Sequence, residues 1–93
     1  MEALTVVRTA LELARHRQAE VPSFPIYASC VAQLEYLLAV ISHELPIDRV
    51  KLRTIIIGHY GAREFEGSDP EFADALMKSQ WFASQMADGL KVE

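Results

Sequence analysis

Apolar side chains fall three and four residues apart along most of this chain, and prolines and glycines cut that pattern into four blocks. From Glu2 to Ala19, Leu4, Val7, Leu11 and Ala14 recur at helical spacing, with Arg8, Glu12 and Arg15 on the other side. Val21-Pro22-Ser23-Phe24-Pro25 ends this block, because a proline disfavours the α conformation in the residue before it. Ser23 is placed to cap a second helix, whose apolar stripe of Ile26, Cys30, Val31, Leu34, Leu37, Leu38 and Ile41 runs to about Ser42. His43-Glu44-Leu45-Pro46 breaks the chain again. Asp48 is the expected N-cap of a third helix, which buries Val50, Leu52, Ile55, Ile56 and Tyr60 and stops at Gly67. Ile55-Ile56-Ile57 is β-branched, but it is short and no second strand candidate exists to pair with it. The fourth helix opens at Ser68-Asp69-Pro70-Glu71, a capping-box spacing with a proline in the first turn. It turns Phe72, Ala75, Leu76, Ser79, Phe82, Ala83 and Met86 inward, and Gly89 closes it.

The pattern predicts an all-α fold: a compact bundle of about four antiparallel helices with short connections, forming a single domain over residues 1–93. Four glycines and four prolines are too few for a sandwich built from many turns, and 51% apolar residues are too many for a disordered chain. The formal net charge of −4 argues against nucleic acid, whose phosphates require a basic stripe. No run of about 18 apolar residues is present to span a membrane. The N-terminus also lacks the pattern of a secretory signal. Cys30 is the single cysteine, which excludes an internal disulfide and fits a reducing cytoplasm.

Residues 58–72, GHYGAREFEGSDPEF, concentrate the polar chemistry of the chain. A catalytic use is disfavoured: His59 and Tyr60 point about 100° apart on a helix and cannot converge on one atom. Tyr60 and Glu64 are neighbours, but that pair is neither an activated nucleophile nor an electrophile. His16, His43 and His59 are scattered and match no zinc spacing, so no metal and no cofactor are expected. Cys30 lies on an apolar stripe and reads as a small buried hydrophobe. Gly58 and Gly61 follow a helical run rather than a strand, so they mark the close approach of a neighbouring helix, not a phosphate cradle.

The carboxylates are more informative. Glu64, Glu66, Asp69, Glu71 and Asp74 occur with no Lys or Arg among them. Asp69 and Glu71 start a helix, where the dipole favours negative charge. Glu64 and Glu66 end one, where it costs a few tenths of a kcal/mol unless a cation such as Arg63 compensates. On the fourth helix Asp74, Met77, Trp81 and Asp88 share a face rotated away from the Phe72–Leu76–Ala83 stripe. A Trp and a Met flanked by acids make either a protein-binding anchor or a second packing face within the bundle. Tyr36 and Gln33, off the stripe of the second helix, present the same two alternatives.

The chain resembles the small helical immunity proteins that protect Gram-negative bacteria from an NAD(P)-glycohydrolase toxin delivered by the type VI secretion system. The resemblance spans roughly residues 28–92. It is carried by Gln33-Leu34-Glu35-Tyr36, by Gly58 followed by Glu64-Phe65-Glu66 and Asp69-Pro70-Glu71, and by Gly89-Leu90-Lys91-Val92. It implies a cytoplasmic, non-enzymatic inhibitor that docks on a toxin domain and closes its active site. The expected toxin-binding residues are Glu64, Glu66, Asp69, Glu71, Asp74, Met77, Trp81 and Tyr36. A toxin that binds a phosphorylated nucleotide presents a basic cleft, onto which an acidic surface is steered. Gly61, Phe72 and the Val21–Ile26 connection depart from the family pattern and leave the cognate toxin open. Immunity to another nucleotide-targeting toxin, such as an adenine-nucleotide pyrophosphokinase, is one alternative, and a homodimeric module that buries Trp81 against itself is another.

Overall fold

Three of the four expected helices form as long single rods, and the other is interrupted. The computed structural model describes residues 2–92, so the outermost residues of the expected 1–93 domain lie outside it. The order is α1 (Ala3–Glu20), α2 (Pro25–Ile41), α3 (Arg49–Leu52), α4 (Ile57–Tyr60), a π-helical segment (Gly61–Phe65) that continues α4, and α5 (Pro70–Ala87). No strand occurs among the described residues, and the bundle measures 34 × 22 × 22 Å. α1 packs between α2 and α5, while α4 and the π segment cover another side of α5. Val7, Leu11, Cys30, Leu34, Leu37, Phe72, Leu76 and Ala83, all selected by helical spacing, are buried, while Leu4, Ile26, Val31, Leu38 and Ile41 at the stripe edges are half-buried and Ala3, Ala10 and Val40 join the core. Burial pushes the Cys30 thiol up to about 12, so it packs as an inert apolar group.

The third helix does not run unbroken from Asp48 to Glu66, and the apolar spacing shows why. Leu52, Ile55 and Ile57 are all buried, at 1%, 4% and 0% exposure. On one straight helix Ile55 and Ile57 would lie about 200° apart. Breaking the rod after Leu52 lets all three reach the core, and it leaves Val50 and Ile56, both expected inside, at 77% and 41% exposure. The four residues 53–56 make the break, with the Thr54 hydroxyl donating to the Lys51 carbonyl at 2.6 Å. Two glutamines from other helices satisfy the backbone where α4 begins. Ile56 N–H donates to Gln33 Oε1 at 2.7 Å, and Gly58 N–H donates to Gln80 Oε1 at 3.1 Å.

The helix ends correct two further expectations. Ser23 does not cap α2; Phe24 is the N-cap residue, with no side-chain hydrogen bond, and Pro25 takes the first helical position. Nor do Ser68 and Glu71 form a capping box. Asp69 caps α5, its Oδ1 accepting from Phe72 N–H, while the Ser68 hydroxyl turns back to the Glu64 carbonyl. Asp48 does cap α3, accepting from Lys51 N–H at 3.0 Å. Gly89 closes α5 at φ +83°, and Leu90 N–H then donates to the Gln85 carbonyl. α2 ends in the same turn with His43 in the left-handed position at φ 67° and Glu44 N–H on the Ala39 carbonyl.

Candidate partner-binding surface

The acidic segment rests on α5 because two positions carry no side chain. A Cβ on Gly61 would lie 2.9 Å from the Ala73 carbonyl oxygen, and one on Gly58 would lie 2.7 Å from Gln80 Cγ. At Gly61 the obstacle is backbone, so a larger residue would lift the segment off the helix, whereas at Gly58 the Gln80 side chain would have to move. Phe65 pins the far end, with ring centroids 4.9 Å from Phe72 and 5.4 Å from Tyr27. Between those anchors Ala62, Arg63 and Glu64 face solvent.

The five acids divide into those the fold uses and those it leaves alone. Asp69 accepts from Arg17 Nε at 2.8 Å, with both side chains about four-fifths covered. That hydrogen bond holds the Asp69 carboxyl below its ordinary range and raises Arg17, outweighing the opposing effect of burial. Glu71 lies 3.5 Å from the same guanidinium but is mostly exposed. Asp74 pairs with Lys78 at 2.9 Å, one turn along α5. Glu64 and Glu66 are exposed, and among the described residues neither has a cation within 4.0 Å, Arg63 included.

On α5 the choice between core and surface is settled. Trp81 is 57% exposed and lies outside the core, whereas Met77, 37% exposed, sets its Cγ against Gly61 and shows the rest of its side chain to solvent. Trp81 is held edge-on against Phe82 at 5.2 Å between centroids, which orients the indole without covering it. Asp74 and Asp88 flank it on the same side, Asp88 lying 3.5 Å from Arg53. Trp81, Met77 and Asp74 are thus brought together on one face.

Tyr36 is placed differently. Its ring packs against the core from α2, its hydroxyl is buried without a partner, and Lys51 Nζ stands 4.4 Å over the ring. Burial raises its pKa, as the loss of water around a phenolate requires. Gln33, three residues before it, accepts from the Ile56 N–H at the start of α4.

Helical spacing missed the exposed apolar residues of the α2–α4 connection, because it assigned Val50 and Ile56 to the core and passed over Ile47, which is 60% exposed. Proline at 46 and the absence of a matching stripe between 42 and 48 were the available signals. His59 is exposed, and the Tyr60 hydroxyl lies 3.4 Å from Ser29 Oγ, so these residues do not converge. No cluster of three or more metal-ligating side chains occurs among the described residues, and no helix is long and apolar enough to cross a membrane.

Known proteins share this arrangement along its whole length. The sequence pattern of the Tsi6 family matches residues 2–85. Immune protein Tsi6 of Pseudomonas aeruginosa is 29% identical over 93 residues, covering 100% of this chain and 98% of the relative. A chain in the structure of Tse6 in complex with Tsi6 superposes with a TM-score of 0.90 at 29% identity, covering 100% of this chain and 98% of its own length. The structure of Tsi6 from Pseudomonas aeruginosa superposes with a TM-score of 0.83 at 30% identity, covering 100% and 96%.

Proposed function

We propose a function from one premise: the chain belongs to the Tsi6 family. It is a type VI immunity protein whose partner is a cognate toxin domain, as Tse6 is found in complex with Tsi6. It works in the cytoplasm by covering the toxin's active site, without turning over a substrate. The toxin is an NAD(P)-glycohydrolase, whose nucleotide-binding cleft supplies the basic counterpart to Glu64 and Glu66.

The observation that carries the choice of surface is the exposed Trp81 beside Met77 and Asp74 on a rigid helix. Leaving a large apolar ring exposed to water has no return within the free chain, whereas an indole at the centre of an interface supplies a large share of its binding energy. Glu64, Glu66, Asp74 and Glu71 surround that anchor with negative charge, which steers a basic partner and speeds its association. Asp69 and Tyr36 support the surface from within: Asp69 ties α5 to α1 through Arg17, and Tyr36 seats α3 against α2.

Mixing the chain with candidate toxin domains, including an NAD(P)-glycohydrolase and an adenine-nucleotide pyrophosphokinase, tests the reading. The expected result is a tight stoichiometric complex with the glycohydrolase and loss of its activity. Trp81→Ala is expected to weaken that complex by about 2 kcal/mol, near 30-fold. A chain that binds none of these domains, or a Trp81→Ala variant that binds as tightly as the parent, would reject the toxin assignment or the surface respectively.

A further inference from the structure

At the opposite end of α5 from its acidic N-terminus, the chain leaves an open groove of about 630 Å³. Val40 and Ile41 of α2, Ile47 of the connection, Met86 of α5, and Leu90 and Val92 of the C-terminal stretch line it. The volume falls in the range of small-molecule sites, roughly 300–1,000 Å³. Its formally charged residues, Arg49 and Lys91, are both positive. Arg49, Lys91 and His43 line the groove, and among the described residues no Asp or Glu does, in a chain whose net charge is −4.

Arg49 and Lys91 have no carboxylate partner within 4.0 Å among the described residues. Arg49 Nε donates to the Ala87 carbonyl at 2.7 Å, which fixes the side chain and offsets the helix end but leaves its Nη donors. His43 is held at the rim by the turn that ends α2, in the left-handed conformation. The Ala87 carbonyl at the end of α5 takes Arg49 Nε and Arg53 Nη2, and the Gln85 and Met86 carbonyls are taken by the Gly89–Leu90 turn. An apolar trough edged by Arg49 and Lys91 is complementary to a molecule with a hydrocarbon body and a single anionic head.

We propose that this groove binds a small amphipathic carboxylate of the medium-chain fatty-acid class. The chain lies along Val40, Ile47 and Leu90, and the carboxylate meets Arg49 and Lys91. The site lies at the far end of α5 from Asp74 and Met77 and does not depend on toxin binding.

Titration of the isolated full chain with decanoate, decanol and decyltrimethylammonium, followed by amide NMR below their micelle concentrations, tests this. Saturable one-to-one binding of decanoate is expected, with shifts concentrated at residues 40–49 and 86–92, at least tenfold tighter than decanol and with no saturable binding of the cation. Lys91→Glu is expected to weaken decanoate binding at least tenfold, and Ile47→Asp, at an already exposed position, to do the same. Circular dichroism confirms that each variant is folded. Equal affinity for decanol, shifts spread over the whole surface, or full affinity in folded Lys91→Glu would each overturn the assignment.

Discussion

Glu64 and Glu66 precede Asp69 and Glu71 by only a few residues, yet the two pairs do different work. Asp69 reaches 52 positions back to Arg17 and caps α5 as well, while Glu71 sits at the edge of the same guanidinium. Glu64 and Glu66 lie where α4 and its π-helical continuation end, with no cation within 4.0 Å of either among the described residues. One pair joins helices; the other leaves negative charge in solvent at a helix end that disfavours it. An acidic run read as one patch is therefore two features, and only the first half of it has no use inside the fold.

Substitutions can break or sharpen that contrast. Asp69→Ala removes a cap and strands a mostly covered Arg17, and should cost about 2–3 kcal/mol in urea unfolding. The association rate with the toxin should stay within about twofold, because Asp69 is already neutralised. The converse is expected of Glu64→Lys combined with Glu66→Lys. Association at low salt should slow about tenfold while stability changes by less than about 0.5 kcal/mol. An on-rate that falls in Asp69→Ala and not in the double lysine variant would invert the assignment of the two halves.

The same comparison has a pH signature. Because Arg17 holds the folded-state pKa of Asp69 below its ordinary value, their pairing stabilises the fold fully above the unfolded carboxylate pKa of about 3.9. That contribution is lost as pH falls through the folded value. Asp69→Asn should consequently flatten the acid limb of the stability profile measured by urea unfolding; an acid limb as steep as the parent's would remove the Arg17 pairing from the account. The smallest effect concerns a matched pair of helix ends. Gly89 and His43 occupy the same left-handed position after α5 and α2. His43→Gly should therefore gain about 0.5–1 kcal/mol in thermal or urea unfolding, since only glycine adopts that conformation without strain.

Much of this was legible from residue spacing. The stripes of α1, α2 and α5 are local periodicities, and each of those helices forms with its expected face inward. Asp48 and Gly89 act as expected because capping depends on residues within one turn. The two glycines facing α5 were likewise readable as a close approach. Trp81 and Met77 were ambiguous, since a face rotated from the main stripe can meet a neighbour or solvent, and the sequence around it does not say where the neighbours stand. The break in the third helix was missed because Val50 and Ile56 look apolar enough to be core.

What the sequence by itself determined is the all-α class, the inward faces of three helices, the punctuation between them and the family to which the chain belongs. All of these depend on residues close together along the chain, or on the order of short motifs. Only the tertiary structure decided that Leu52, Ile55 and Ile57 share one core at the expense of a continuous helix. It also decided that Gln33 and Gln80 satisfy the restarted backbone and that Asp69 belongs to Arg17. Those outcomes pair groups more than twenty positions apart, and periodicity carries no information about which distant side chain will arrive to complete a hydrogen bond.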